Sequence, residues 1–175
     1  MTDSAEVIAK SQPPEDIDST SFFITVSSEE KPSLDKCYKF VSHPSCGAIS
    51  TFLGTTRDSF NGKAVSRLSY EGYVPMAVKE LDKLCREAKT KYNVHRIAVQ
   101  HVLGDCPVGE VSVIIAASSP HRSDALQCVT FMIDELKAKV PIWKLEVYEG
   151  EEDCVWKENV EWHGGKITRV MYKET

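Results

Sequence analysis

The stretch "LKAKVPIWKLE" (136–146) sets three lysines around a proline and a tryptophan in a chain that carries more acidic than basic residues. Amines gathered this closely are candidates for binding an anion or for amine chemistry. A pair of them that is crowded or stripped of water gives up a proton more readily than a solvated amine. One neutral amine can then act as base or nucleophile while a neighbouring ammonium stabilises an oxyanion. The competing reading makes Lys137 and Lys139 ordinary helix-end charges. Two further groups could meet an anion. Ser118-Ser-Pro-His-Arg122 falls where a strand passes into a helix, so free N–H groups and the helix dipole would join His121 and Arg122 there. Arg57 stands in a polar loop after a strand, a place where function often sits but where a surface arginine is also common.

Positioning these groups requires strands and helices whose periods can be read directly. "SFFITV" (21–26) is β-branched and aromatic enough for a first strand. In "SLDKCYKFV" (33–41), Leu34, Cys37 and Val41 recur at helical spacing behind Ser33 as N-cap, and Pro44 closes the helix. "GAISTFLG" (47–54) is an apolar strand. The Asn61-Gly62 turn in the following loop leads to a weaker strand (65–73), and together they suggest a hairpin with a long polar loop.

Pro75 to Tyr92 is the clearest helix, with Val78, Leu81, Cys85, Ala88 and Tyr92 on one face. Strands at 96–104 and 111–118 are joined by the turn "DCPVGE", and the apolar run of the second places it centrally in a sheet. A helix from about His121 to Lys139 turns Ala125, Cys128, Val129, Met132 and Leu136 inward. Pro141 ends it, and a strand follows at 142–149. There, period two puts Trp143, Leu145 and Val147 toward the core and Lys144 and Glu146 on the other face, near the helix end with Lys137. From Gly150 the chain reads as acidic and irregular. The order of elements predicts an α+β domain with a mixed, mainly antiparallel sheet.

The totals narrow the function. A single domain fits 175 residues, of which 42% are hydrophobic and 27% charged. A net charge of −5 gives no global attraction to nucleic acid or to an anionic membrane, so any anion site must be local. The six cysteines are scattered without a CxxC pair, and His43 with Cys46 finds no second close pair to complete a metal site. With no apolar stretch of membrane-spanning length and no export signal, the expectation is a metal-free cytosolic protein with reduced thiols. The residues alone reach an anion-binding α+β domain. A Schiff-base lyase acting on a phosphorylated carbonyl compound and a non-catalytic dimeric scaffold that binds a ubiquitin-like tail through basic residues remain open at this point.

Four segments taken together go further: "GAISTFLGTTRDSFNGK", "LSYEGYVPMA", "SSPHRSDAL" and "LKAKVPIWKLE". In this order and spacing they resemble the catalytic (large) subunits of molybdopterin synthase. The resemblance implies an α/β hammerhead fold over residues 19–160, between a flexible leader (1–18) and a tail (161–175). It implies conversion of cyclic pyranopterin monophosphate to molybdopterin by insertion of two sulfurs. The donor would be a thiocarboxylate on the C-terminal Gly-Gly of a small ubiquitin-like subunit. The assembly would be a heterotetramer built on a central homodimer of large subunits, with no cofactor or metal of its own.

Carried over position by position, the two essential lysines of the family fall on Lys137 and Lys144. Substrate contacts fall on Thr55, Thr56, Arg57, His121 and Arg122, with the two lysines, and Leu145 and Glu146 border the pocket. Lys137 is the better candidate for covalent or acid–base work and Lys144 for stabilising negative charge, and the roles are interchangeable on this reading. The chain departs from the family pattern at Leu145 and at Val102, where basic residues are common.

Overall fold

The computed structural model describes residues 19–149 and 155–157. The leader and tail expected from the sequence lie outside the described residues. A short 3-10 turn, Ser19–Ser21, leads into β1 (Phe22–Ser27) and α1 (Leu34–Val41). β2 (Ala48–Thr55), β3 (Ser59–Phe60) and β4 (Lys63–Gly72) precede α2 (Val74–Lys91). Then come β5 (Arg96–Val102), β6 (Gly104–Pro107), β7 (Val111–Ser119), α3 (Arg122–Lys139), β8 (Ile142–Tyr148) and β9 (Val155–Lys157).

Two sheets result. The first has the order β1-β5-β7-β2, with β1 and β5 parallel and the other pairs antiparallel. β5 and β7 alternate between two buried faces, which explains their continuous apolar runs. On one side Ile97, Val99, Ile115 and Ala117 meet Leu81, Leu84, Cys85 and Ala88 of α2 and Cys128, Met132 and Leu136 of α3. On the other, Ala98, Ile114 and Ala116 meet Cys37 and Val41 of α1. Buried Gln100 ties α1 down: its Oε1 accepts from the Ser33 N–H at 2.9 Å and from the Cys37 thiol at 3.4 Å. Ser33 is the N-cap that the spacing predicts, and the apolar faces read for α2 and α3 are the buried ones.

The second sheet runs β3-β4-β8-β9, with β6 also paired to β4. Here the structure corrects the expected hairpin of 47–54 with 65–73. β2 pairs with β7, and β4 pairs with β3, β6 and β8. The Asn61-Gly62 turn does form a hairpin, but a smaller one between β3 and β4. Both turn residues have positive φ, 51° and 79°, the conformation a tight hairpin turn demands. The "DCPVGE" turn also holds a strand, β6, through which the chain touches the second sheet before returning to the first. Beyond Gly150 the chain is not wholly irregular, because β9 adds to the edge of β8. Among the described residues no helix is long and apolar enough to cross a membrane.

Candidate active site

The junction of α3 with β8 builds the site. Leu136 is buried in the main core and fixes the last turn of α3. The Val140 N–H bonds the Leu136 carbonyl at 3.0 Å, buried Pro141 turns the chain, and the Ile142 N–H closes on the Val140 carbonyl at 2.8 Å. Half-buried Lys137 and exposed Lys139 sit in that last turn, where the helix dipole favours cations. They then part company. Lys139 pairs with Glu135 at 2.5 Å and Glu87 at 3.7 Å, and its hydrogen bond to Glu135 holds its pKa above the ordinary lysine value. It is an ion-paired surface residue.

Lys144 enters from β8, and this strand differs from its sequence reading. Trp143 is 38% exposed, whereas Glu146 is 3% and Tyr148 7% exposed. Only Val147 of the apolar trio is buried, and the face carrying Lys144, Glu146 and Tyr148 is largely inside. A carboxylate tolerates such burial only when paired and hydrogen-bonded. Glu146 has both: its Oε2 accepts from the Tyr148 hydroxyl at 2.5 Å and its Oε1 lies 3.3 Å from Lys144 Nζ. Leu145, half-buried, projects to the opposite face with Trp143.

Beneath Lys144 lies polar structure that the sequence reading did not single out. Tyr70 of β4 stands opposite Lys144 in the ladder. Its hydroxyl donates to Ser112 Oγ at 3.1 Å, and Ser112 donates to the Gly54 carbonyl at 3.2 Å. Burial, with the nearby Cys106 and Glu146, holds the Tyr70 phenol above its ordinary pKa, against the Ser112 hydrogen bond. The His101 ring packs edge-on to Tyr70, with ring centroids 4.9 Å apart. Its Nδ1 lies 2.7 Å from the Val102 carbonyl, and burial pushes its pKa down to about 4, so the ring is neutral at pH 7. The sequence signal for this layer was the tyrosine at alternating positions in 65–73 and at 148, which also suits plain core packing.

The remaining candidates divide between two ends of the first sheet. Thr55 ends β2 opposite Val111, at the end toward which α3 runs, so the loop bearing Arg57 leaves the sheet on the lysine side. Arg57 is exposed and lies over the Phe60 ring at 5.4 Å. Thr55 is exposed too, but Thr56 is buried and its hydroxyl is spent on the Cys106 carbonyl at 3.1 Å. His121 and Arg122 are exposed at the opposite end, where His121 caps α3 through its backbone and its N–H bonds Ser119 Oγ at 3.2 Å. From Arg122 to Lys137 the helix axis advances about 22 Å. One chain therefore does not bring the His-Arg pair to its own lysines. No group of three or more metal-ligating side chains is arranged to hold a metal among the described residues.

Fold and site define a two-sheet α+β domain with a lysine–carboxylate centre at the junction of its last helix and the second sheet. The chain belongs to the MoaE protein family, whose profile matches residues 27–139. It is 51% identical over 136 residues to the human molybdopterin synthase catalytic subunit, covering 74% of this chain and 72% of the human one. To the subunit of the same name from Drosophila pseudoobscura it is 57% identical over 122 residues, or 69% of this chain. The match spans only 34% of that longer relative. A crystal structure of molybdopterin synthase from Staphylococcus aureus superimposes with a TM-score of 0.71 at 31% identity, covering 78% of this chain and 96% of that one.

Proposed function

We propose that this chain is the catalytic subunit of a molybdopterin synthase. In this reading it converts cyclic pyranopterin monophosphate to the dithiolene-bearing molybdopterin as a sulfurtransferase, in the cytosol. The two sulfurs come from the thiocarboxylated Gly-Gly terminus of a small ubiquitin-like subunit. The observation that carries the reading is Lys144 held on buried Glu146, one tight turn beyond the helix end that presents Lys137. An acyl thiocarboxylate and a phosphorylated pterin are both anions, and in an otherwise acidic protein two amines and Arg57 at one end of the sheet supply a local positive field.

Lys137 is the candidate for attack or proton transfer at the tail, and Lys144 the candidate for stabilising charge on the thiocarboxylate or the developing thiolate. Arg57, with Thr55, holds the phosphate. Thr56 supports that loop from within, and Glu146 acts through Lys144. Because His121 and Arg122 lie a helix length away, in this reading they serve the site of a second copy in the central homodimer of a heterotetramer. No resident cofactor or metal is invoked. Lysine-to-alanine variants assayed with thiocarboxylated small subunit test the site: loss of dithiolene formation in both is the expected outcome, and full activity in both rejects the assignment.

A further inference from the structure

We propose that Tyr148 is a positioning residue that acts on Lys144 through Glu146. The inference rests on the functional reading above and adds to it a residue outside the matched segments. Three alternate positions of β8 share one face, and their side chains form a relay. The Tyr148 hydroxyl donates to one carboxylate oxygen of Glu146 at 2.5 Å, and the other oxygen lies 3.3 Å from Lys144 Nζ. Tyr148 is itself anchored. It pairs with Val65 across the ladder, the next N–H, that of Glu149, bonds the Ala64 carbonyl at 3.0 Å, and Lys63 Nζ lies 5.4 Å from its ring centroid.

The division of labour follows from mobility. The Lys144 side chain is 40% exposed and has four rotatable bonds, so a partner is needed to hold the amine in one place. The Glu146 side chain is 4% exposed and can fix it, provided its own torsion is locked. A short phenol-to-carboxylate hydrogen bond supplies that lock, since bonds to a charged acceptor are the strong ones.

Tyr148→Phe removes the lock while keeping the ring. Two readouts follow, with thermal unfolding as a check that the variant folds. The first is acetylation of Lys144 by an N-hydroxysuccinimide ester, followed by peptide mass spectrometry with Lys83 as internal standard. Lys144 should react about tenfold faster in the variant, the low end of what losing one hydrogen bond to a charged group is worth. The second is dithiolene formation, where kcat should fall by about tenfold with little change in KM for the small subunit. Glu146→Gln should reproduce both changes, and the double variant should add little to either single one.

The proposal is overturned if Lys144 labelling matches wild type, if KM carries the whole loss, or if the two substitutions add independently. The labelling needs neither partner nor pterin. It therefore stands apart from the sulfur-transfer reading, which fails instead if the wild-type protein makes no dithiolene.

Discussion

At the scale of single residues, the burial of the partner carboxylate separates Lys144 from Lys139 in the 136–146 stretch. Lys139 is neutralised by Glu135 and Glu87 and belongs to the surface. Lys144 is tethered to a buried carboxylate, and Lys137 occupies a half-buried position in the last turn of α3. Sequence spacing paired Lys144 with Lys137, and neither spacing nor resemblance gave Lys139 a role. It did not foresee that Glu146 is inside, because period two reports which side chains share a face and not which face is covered. The same limit hid His101, whose depressed pKa has a measurable consequence. The unfolded chain binds a proton at His101 near the ordinary value of 6.5, whereas the folded protein resists until about pH 4. Stability contributed by the neutral ring is therefore complete above about pH 6.5 and is lost as pH falls toward about 4. The full loss is about 3 kcal/mol. His101→Gln should flatten this part of the pH dependence of the melting temperature, and an unchanged acid slope would show that His101 is not its source.

At the scale of elements, α3 does two jobs, closing the core and delivering a different set of cations at each end. Its buried stripe was legible because Ala125, Cys128, Val129, Met132 and Leu136 recur at helical spacing, and all five are buried. Leu136→Ala should lower the free energy of unfolding in urea by about 2–5 kcal/mol, with loss of site activity because Lys137 rides on the same turn. Retained stability would mean that the last turn is not held by this side chain. The start of α3 is constrained differently. A Cβ on Gly47 would come 2.9 Å from the Pro120 carbonyl oxygen, a backbone atom with little room to move. Gly47→Ala should therefore cost about 1–3 kcal/mol by urea titration. The pairing of β2 was not legible, since the Asn61-Gly62 signal marks a turn without saying which strands flank it. The short β3 took that turn, which left β2 to pair with β7.

At the scale of the whole molecule, the α+β class and the central place of β7 could be read from the order of elements and from one apolar run. The division into two sheets could not, because β6 lies inside what reads as a plain turn. The two-ended arrangement also needed the structure: the resemblance grouped His121 and Arg122 with the lysines as substrate contacts, and within one chain α3 holds them apart. If a second copy completes the site, mixing a Lys144→Ala protein with an Arg122→Ala protein should restore part of the activity that each lacks alone, since some mixed dimers carry one intact site. No recovery after subunit exchange would assign both groups to separate duties.

The central claim is that this chain builds the dithiolene on a pterin with sulfur from a partner's C-terminus. Its most direct test is incubation with cyclic pyranopterin monophosphate and the thiocarboxylated small subunit, followed by detection of the dithiolene product. Product is expected with the wild-type chain and none when Lys137 or Lys144 is alanine. A wild-type chain that binds the partner yet forms no dithiolene would contradict it.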